Sequence, residues 1–159
     1  MLGLFMVLPV MSIYFDQYQQ ASAFLLGLAL GIYGLTQAIL QIPLGLLSDK
    51  IGRRPVILGG LLVFILGSVV AATAETAIGV VIGRALQGTG AIASTLMALV
   101  TDLTAEQNRT KAMASIGGSI GISFAVAMVL GRVVAANFGL AGIFWLTAAL
   151  GLIGAVIVF

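Results

Sequence analysis

The sequence predicts an all-α membrane protein, a bundle of six transmembrane helices, on three observations. Of its 159 residues, 61% are hydrophobic and only 8% are charged, whereas a soluble domain carries about 25% charged residues. The chain divides into six apolar runs, and a membrane helix needs about 20 mainly apolar residues. Most of the charged residues lie in the short segments between these runs. We therefore expect lipid to surround most of the chain.

The apolar runs predict helices at residues 2–15, 23–47, 55–74, 78–100, 112–131 and 140–159. The connections are too short to form a soluble domain, so we expect residues 1–159 to make a single bundle. The first and last runs lack polar flanks, which predicts that the natural chain continues beyond both ends. Small residues four apart predict close helix packing, and they occur at Gly27/Gly31, Gly67/Ala71, Gly79/Gly83 and Gly117/Gly121, with Ser115, Ser119 and Ser123 forming a further stripe.

The basic residues predict the orientation in the membrane, because short cytoplasmic loops are enriched in Lys and Arg. One side of the bundle holds Lys50, Arg53, Arg54, Arg109 and Lys111, and the other holds Arg132 alone. We expect both termini to be cytoplasmic and the turns at residues 16–20, 75 and 132–139 to face outward.

The composition also excludes several kinds of function. The chain contains no Cys and no His, which removes disulfides, thiol nucleophiles, the commonest zinc sites and a His general base. No nucleophile–base pair is visible, so we predict no enzyme activity, no cofactor and no metal. Seven basic residues, with a net charge of +2, are too few for a nucleic-acid-binding face.

Arg84 is the one charged residue well inside a predicted span. It lies about 9 Å along the helix axis from the start of the fourth run, at 1.5 Å per residue. A charge at such a depth usually faces a cavity or a partner, although a long Arg side chain can also extend to the interface. Gln87 and Gly88 share its helix face, a combination that favours the wall of a hydrated cavity.

Two further sets of polar residues leave alternatives open. Tyr33, Gln37 and Gln41 form a stripe on the second helix, either for hydrogen bonding between helices or for lining a solute path. Asp16 lies at the outer end of the first helix, either as a hydrated turn residue or as a partner of Arg84 or a proton acceptor.

Charges at the predicted inner side can form a network between adjacent short loops. Asp49 and Arg53 bracket the turn after the second helix, with Gly45 and Gly52 around them, and Asp102 ends the fourth helix. We interpret this arrangement as a structural latch; merely hydrated loop charges are the alternative. The charged residues that complete these loops are Arg54, Glu106, Arg109 and Lys111.

Three motifs resemble the major facilitator superfamily, and in particular its drug/proton antiporters. The loop after the second helix is similar to the superfamily's signature loop, and it reads Gly45-x-x-x-Asp49-Lys50-x-Gly52-Arg53-Arg54. The fourth helix resembles the helix-four motif of the antiporters, and it reads Arg84-x-x-Gln87-Gly88-x-Gly90-Ala91. The loop from Asp102 to Ala112 also resembles that group, so the resemblance covers essentially the whole chain.

The resemblance implies roles for these residues. Asp49, Arg53 and Asp102 would form an inner charge relay that holds an outward-open state. Arg84 would face the central cavity and take part in proton-coupled transport. The superfamily has twelve helices in two halves, so this chain would be the N-terminal half, with its second and fifth helices meeting a C-terminal half or a partner chain.

The sequence departs from the antiporters where Gly131-Arg132 stands in place of their Gly-Pro near the outer end of helix five. No Asp or Glu lies inside a span, so the sequence identifies no proton carrier. The leading function is secondary transport of a small molecule across a bacterial inner membrane, with protons as the coupling ion and efflux by alternating access. The alternative is a non-transporting membrane receptor or assembly partner that keeps the half-fold.

Overall fold

The computed structural model describes residues 2–90 and 92–159, and within these ranges it contains six α-helices and no strand. Two helices begin at side-chain caps. The Ser22 hydroxyl accepts from the Leu25 N–H at 3.2 Å, and the Thr76 hydroxyl accepts from the Gly79 N–H at 3.1 Å, which satisfies N–H groups left free by a helix start. The helices are α1 (Leu2–Tyr14), α2 (Ala23–Ile51), α3 (Arg53–Ala72), α4 (Ala77–Thr89), α5 (Ala93–Leu103) and α6 (Arg109–Val158).

Helix length and hydropathy match a membrane protein. The stretches that are long and apolar enough to cross a bilayer are Ala23–Ile51, Arg53–Ala72, Ala77–Leu103 and Glu106–Val158, with Leu2–Gln17 shorter. The 50 residues of α6 would reach about 75 Å as one rod, more than twice the hydrocarbon thickness of about 30 Å. Gly139 divides α6, with φ 64° and ψ −165°, into segments 109–138 and 140–158. The all-α membrane fold class is confirmed.

The connection between α2 and α3 is much shorter than the sequence predicted. We expected the eleven residues from Gly45 to Pro55 to form a turn, but α2 continues to Ile51 and α3 begins at Arg53. Gly52 alone is non-helical, with φ 100° and ψ 156°. Side chains disfavour this conformation, so a glycine allows the two helices to follow each other almost directly.

Two other helix ends differ from the expectation. The helix predicted over 78–100 is interrupted after Thr89, where the Gly90 N–H donates to the Gln87 carbonyl at 3.2 Å and the hydrogen-bond spacing tightens to three residues. A Cβ at Gly90 would collide with the Gly60 carbonyl of α3, so the chain leaves α4 against that helix. Ala91 lies outside the described residues. Residues 132–138, expected in an outer turn, are helical, and Arg132 is exposed.

The glycine pairs predicted to pack closely fall into two classes. Between α3 and α4, a Cβ at Gly83 would lie 2.6 Å from the Ala71 backbone nitrogen, so only glycine permits this approach. Two other pairs do not pack within this chain: apart from the neighbouring residues of the same helix, no described heavy atom lies within 4 Å of a Cβ built at Gly27, Gly31, Gly117 or Gly121. Those four positions lie on faces of α2 and α6 that the described part of the chain leaves uncovered.

Main-chain hydrogen bonds join the α1–α2 turn to the α3–α4 turn. The Gln19 N–H donates to the Glu75 carbonyl at 3.3 Å, and the Ala77 N–H donates to the Gln19 carbonyl at 3.0 Å. The core packs beside this clip, with the inward face of α1 buried against α6. Met6 and Met11 are its largest contributors from α1, and Phe15 adds to it from the turn that follows α1.

The crossing of α2 and α4 generates a stability prediction. A Cβ at Gly88 would collide with the Thr36 hydroxyl and the Tyr33 carbonyl. We expect Gly88→Ala to lower the free energy of unfolding by about 1–3 kcal/mol, as overpacked cores do, in an SDS titration from mixed micelles. Gly59→Ala is the control, because its Cβ would meet no heavy atom within 4 Å. Equal losses in the two variants would contradict this account of the crossing.

Candidate functional site

Arg84 is buried where α2, α3 and α4 meet, with only 1% of its surface exposed. Its Nη1 donates to the Gln87 Oε1 at 2.9 Å, one turn along α4, and its Nε donates to the Ala29 carbonyl of α2 at 3.3 Å. This burial excludes the alternative in which the side chain runs along the outside of the bundle to the interface.

Gln87 extends the network to α3. Its Nε2 donates to the Ser68 hydroxyl at 2.7 Å, and that hydroxyl donates to the Phe64 carbonyl at 2.8 Å. The Ser68 contact fixes the side-chain amide so that its oxygen faces the guanidinium. Sequence reasoning missed Ser68, although a hydroxyl in the middle of an apolar run was a visible signal. The three side chains of this network, Arg84, Gln87 and Ser68, are all buried.

The guanidinium of Arg84 also lies over the ring of Tyr33, with its Cζ 4.6 Å from the ring centroid. This distance is within the range of a cation–π interaction. Among the described residues, the ion pairs involve only Arg53 and Arg109 as cations, and Arg84 Nη2 has no hydrogen-bond partner. Neutral dipoles and one aromatic face therefore hold the buried charge without a carboxylate.

The polar stripe predicted on α2 divides between two places. Tyr33 and Gln37 line a cavity of about 130 Å³, to which α1, α3 and α5 contribute Leu4, Phe64 and Leu96. Gln41 instead borders a separate groove of about 380 Å³ at the predicted inner end of α2 and α5, which we call the inner groove. Arg84 and Gln87 lie next to Tyr33, within the network rather than among the residues that line the small cavity.

Asp16 does not meet Arg84. The carboxylate is exposed in the 3₁₀ turn Phe15–Gln17, and none of the ion pairs in the described ranges includes it. The predicted pairing is wrong because the turn places Asp16 in solvent while Arg84 is enclosed by three helices. A role for Asp16 as a proton acceptor stays a prediction.

At the other end of the bundle, Arg53 forms a cluster with two carboxylates. It is paired with Asp49 on α2, and its Nε lies 3.1 Å from the Asp102 Oδ2 on α5. Its Nη1 also donates to the Ser48 hydroxyl at 2.7 Å, and Ser48 donates to the Gly45 carbonyl at 2.6 Å. Arg53 thereby connects the ends of three helices.

Not every residue predicted for this relay joins it. Arg109 pairs with Glu106 at 3.6 Å, and both side chains are exposed, so they form a separate contact. Arg54 is exposed beside the cluster, while Gly45 contributes its carbonyl and borders the inner groove. The hydroxyl of Ser48 was missed, since its role depends on α2 continuing as a helix through it.

The contacts of Arg53 with Asp49 and Asp102 match the cluster expected at this rim. Arg84 differs from the expected wall of a hydrated cavity, because three helices bury it. The comparisons with known proteins bear on the family. The family model of the Major Facilitator Superfamily matches residues 1–159, and the chain belongs to this superfamily.

Individual members of the superfamily are similar to this chain over most of its length. The chain is 60% identical over 154 residues to the inner membrane transport protein YajR of Escherichia coli K12. It is 44% identical over 159 residues to an uncharacterized transporter of Buchnera aphidicola subsp. Schizaphis graminum. A class H tetracycline resistance protein of Pasteurella multocida is 31% identical over 133 residues. The resemblance to the major facilitator superfamily that the motifs indicated thus agrees with these relatives.

The matched regions cover most of this chain but a minor part of each relative. They comprise 97%, 100% and 82% of this chain, and 34%, 41% and 33% of YajR, the Buchnera transporter and the tetracycline resistance protein respectively. The chain therefore spans about a third to two fifths of the length of the curated relatives it matches.

The network around Arg84 generates a second prediction. Gln87→Leu removes the acceptor of Arg84 Nη1 and the donor to Ser68, and a buried charged group that loses a partner costs about 1.5–3 kcal/mol. We expect that loss in the free energy of unfolding from mixed micelles. Gln41→Leu is the matched control, since the Gln41 side chain makes no hydrogen bond within the described ranges. A control as damaging as Gln87→Leu would rule out the network as the cause.

Proposed function

We propose that this chain is the N-terminal half of a secondary transporter of a bacterial inner membrane. The transporter moves a small molecule by alternating access, coupled to protons and in the direction of efflux. The observation that carries the proposal is the buried guanidinium of Arg84, held inside the bundle by neutral groups alone. Intramembrane charges are costly and serve solute or proton pathways in membrane proteins.

The state of Arg84 suits a residue that changes partners during a cycle. Its contacts are hydrogen bonds and a cation–π interaction, and these are weaker than a buried ion pair with a carboxylate. A carboxylate or another anionic group that comes close in one state would attract the guanidinium strongly in this low-dielectric region. We propose that Arg84 responds in this way to proton or substrate binding in the complete transporter.

The cluster at the inner rim supports a second element of the mechanism. Because Arg53 of α3 holds Asp49 of α2 and Asp102 of α5, it sets the spacing of three helix ends. We propose that the intact cluster favours the outward-open state and that its rearrangement accompanies opening to the inside. The charges are partly exposed, so their contribution is moderate and depends on salt.

The proposed membrane location and the proposed direction of transport are supported by the charge distribution and by the relatives. The excess of Lys and Arg at the rim of Arg53 supports cytoplasmic termini, because basic loops remain inside. YajR is named as an inner membrane protein, which supports the same location here. Distant relatives are named for tetracycline and multidrug resistance, and this supports efflux.

Replacing Arg84 tests the proposed function directly. In the full-length transporter that contains this chain, we expect Arg84→Ala to lower proton-driven flux in proteoliposomes by about tenfold or more, because a charged hydrogen-bonding group contributes about 1.5–3 kcal/mol. The exposed Arg132 provides the control variant Arg132→Ala, with flux expected near the original level. Normal flux in Arg84→Ala at equal membrane levels would remove Arg84 from the mechanism. Saturable binding without flux in the unmodified protein would favour the receptor alternative.

Asp49→Asn tests the latch. The substitution keeps the size of the side chain but removes one of the two charges that Arg53 holds. A cysteine introduced at Ile13, on a face of α1 that this chain leaves 66% exposed, would report the outward-open population. We expect its alkylation rate to fall by about two- to fivefold, in keeping with a partly exposed ion pair.

Glu106→Gln is the matched control for Asp49→Asn, because it removes a carboxylate from the separate Arg109 pair. This chain contains no natural cysteine, and any cysteine elsewhere in the full-length transporter is replaced first, so that the label reports a single position. Unchanged alkylation in Asp49→Asn would exclude the latch role.

A further inference from the structure

The cavity beside Tyr33 has room for an aromatic ring. Its volume is about 130 Å³, and an apolar cavity of about 150 Å³ holds one benzene molecule. It is open on one side and shares with a neighbouring cavity of about 360 Å³ the residues Leu61, Phe64, Ile92 and Leu96. Leu4, Phe64 and Leu96 supply apolar walls from three different helices. Such walls favour the burial of a flat apolar group, because each Å² of apolar surface removed from water contributes about 25 cal/mol.

Two polar side chains at the cavity are available to a bound molecule. The Tyr33 hydroxyl and the Gln37 amide both belong to lining residues, and neither group has a hydrogen-bond partner in the described part of the chain. Binding sites of this kind combine a mainly apolar lining with a few polar groups that orient the ligand. Here the polar groups lie on α2, one turn apart.

The charge near the cavity selects against cations. The guanidinium of Arg84 is 4.6 Å from the ring centroid of Tyr33, so the π system of that ring already interacts with one positive charge. A second cation against the same ring would be repelled by the first, and this repulsion is strong where water is excluded. The chain has five acidic residues, all of which lie in turns or near helix ends and so away from this cavity.

We infer that the cavity of Tyr33 and Gln37 binds an aromatic-ring-sized group that carries no positive charge, and that the transported molecule is a neutral or anionic ring-bearing compound. That the bound molecule is also transported rests on the proposed function. The binding site itself does not depend on it. Gln37 and the Tyr33 hydroxyl hydrogen-bond the polar substituent of the ring, and the apolar walls enclose its carbon atoms.

The experiment uses three photoreactive probes that differ in charge. They are 4-azidobenzyl alcohol, 4-azidobenzoate and 4-azidobenzyltrimethylammonium, each added to the full-length transporter in nanodiscs and irradiated, with labelled residues mapped by mass spectrometry. We expect the neutral and anionic probes to label the α2 peptide around Tyr33 and Gln37 about tenfold more than the cationic probe does, because of the nearby guanidinium. Excess benzyl alcohol should displace this labelling.

Two alanine variants provide the matched controls. Ala93 lines the cavity, whereas Ala98 borders the inner groove on the same helix. Ala93→Leu should abolish the labelling around Tyr33, and Ala98→Leu should leave it intact. If Ala93→Leu fails to fold, displacement by benzyl alcohol in the unmodified protein decides the question.

Three results would overturn the inference: equal labelling by the cationic probe, labelling that benzyl alcohol does not displace, or labelling that persists in a folded Ala93→Leu. Because labelling requires no flux, a failure of the transport proposal would leave these results unchanged. Conversely, if flux depends on Arg84 while one of these three results is observed, that combination would support the transport proposal and reject this cavity as the binding site.

Discussion

The position of one buried cation constrains the rest of this bundle. A guanidinium removed from water needs compensation, and here a carbonyl of α2, an amide of α4 and the ring of Tyr33 supply it. These groups reach the charge only if α2 and α4 lie close together, and Ser68 of α3 holds the Gln87 amide in place. The glycines at the α3–α4 and α2–α4 crossings permit that approach, so the small residues and the buried charge depend on each other.

One helix contacts both the buried cation's network and the charged rim. Gln87 contacts Arg84 on one side and Ser68 of α3 on the other, and α3 begins at Arg53, which holds α2 and α5. The 20 residues of α3 therefore carry both groups of contacts, so the placement of this helix constrains the two sites together.

Hydropathy and residue spacing predicted the fold class and placed Arg84 and Gln87 on one helix face, because both depend on features local to the sequence. The remaining contacts of Arg84 and Gln87 join residues far apart in the chain, such as Arg84 and Ala29, which are 55 positions apart, and no periodicity specifies them. The end of α2 and the start of α3 could not be predicted from hydropathy either, because the positive φ of Gly52 decides where one helix stops and the next begins. The Gly27/Gly31 pair has the same spacing as the glycine pairs that pack between α3 and α4. Spacing alone therefore did not reveal which helix faces are packed against other helices of this chain.

The main-chain clip between the α1–α2 and α3–α4 turns has a consequence for substitutions. Its hydrogen bonds use only peptide groups of Gln19, Glu75 and Ala77, so side-chain replacements at these positions leave the contact in place, proline excepted where an N–H donates. The charge and shape of this rim can therefore be changed without separating the two loops. Side chains at these three positions are free for surface redesign, because the peptide backbone alone holds the loops together.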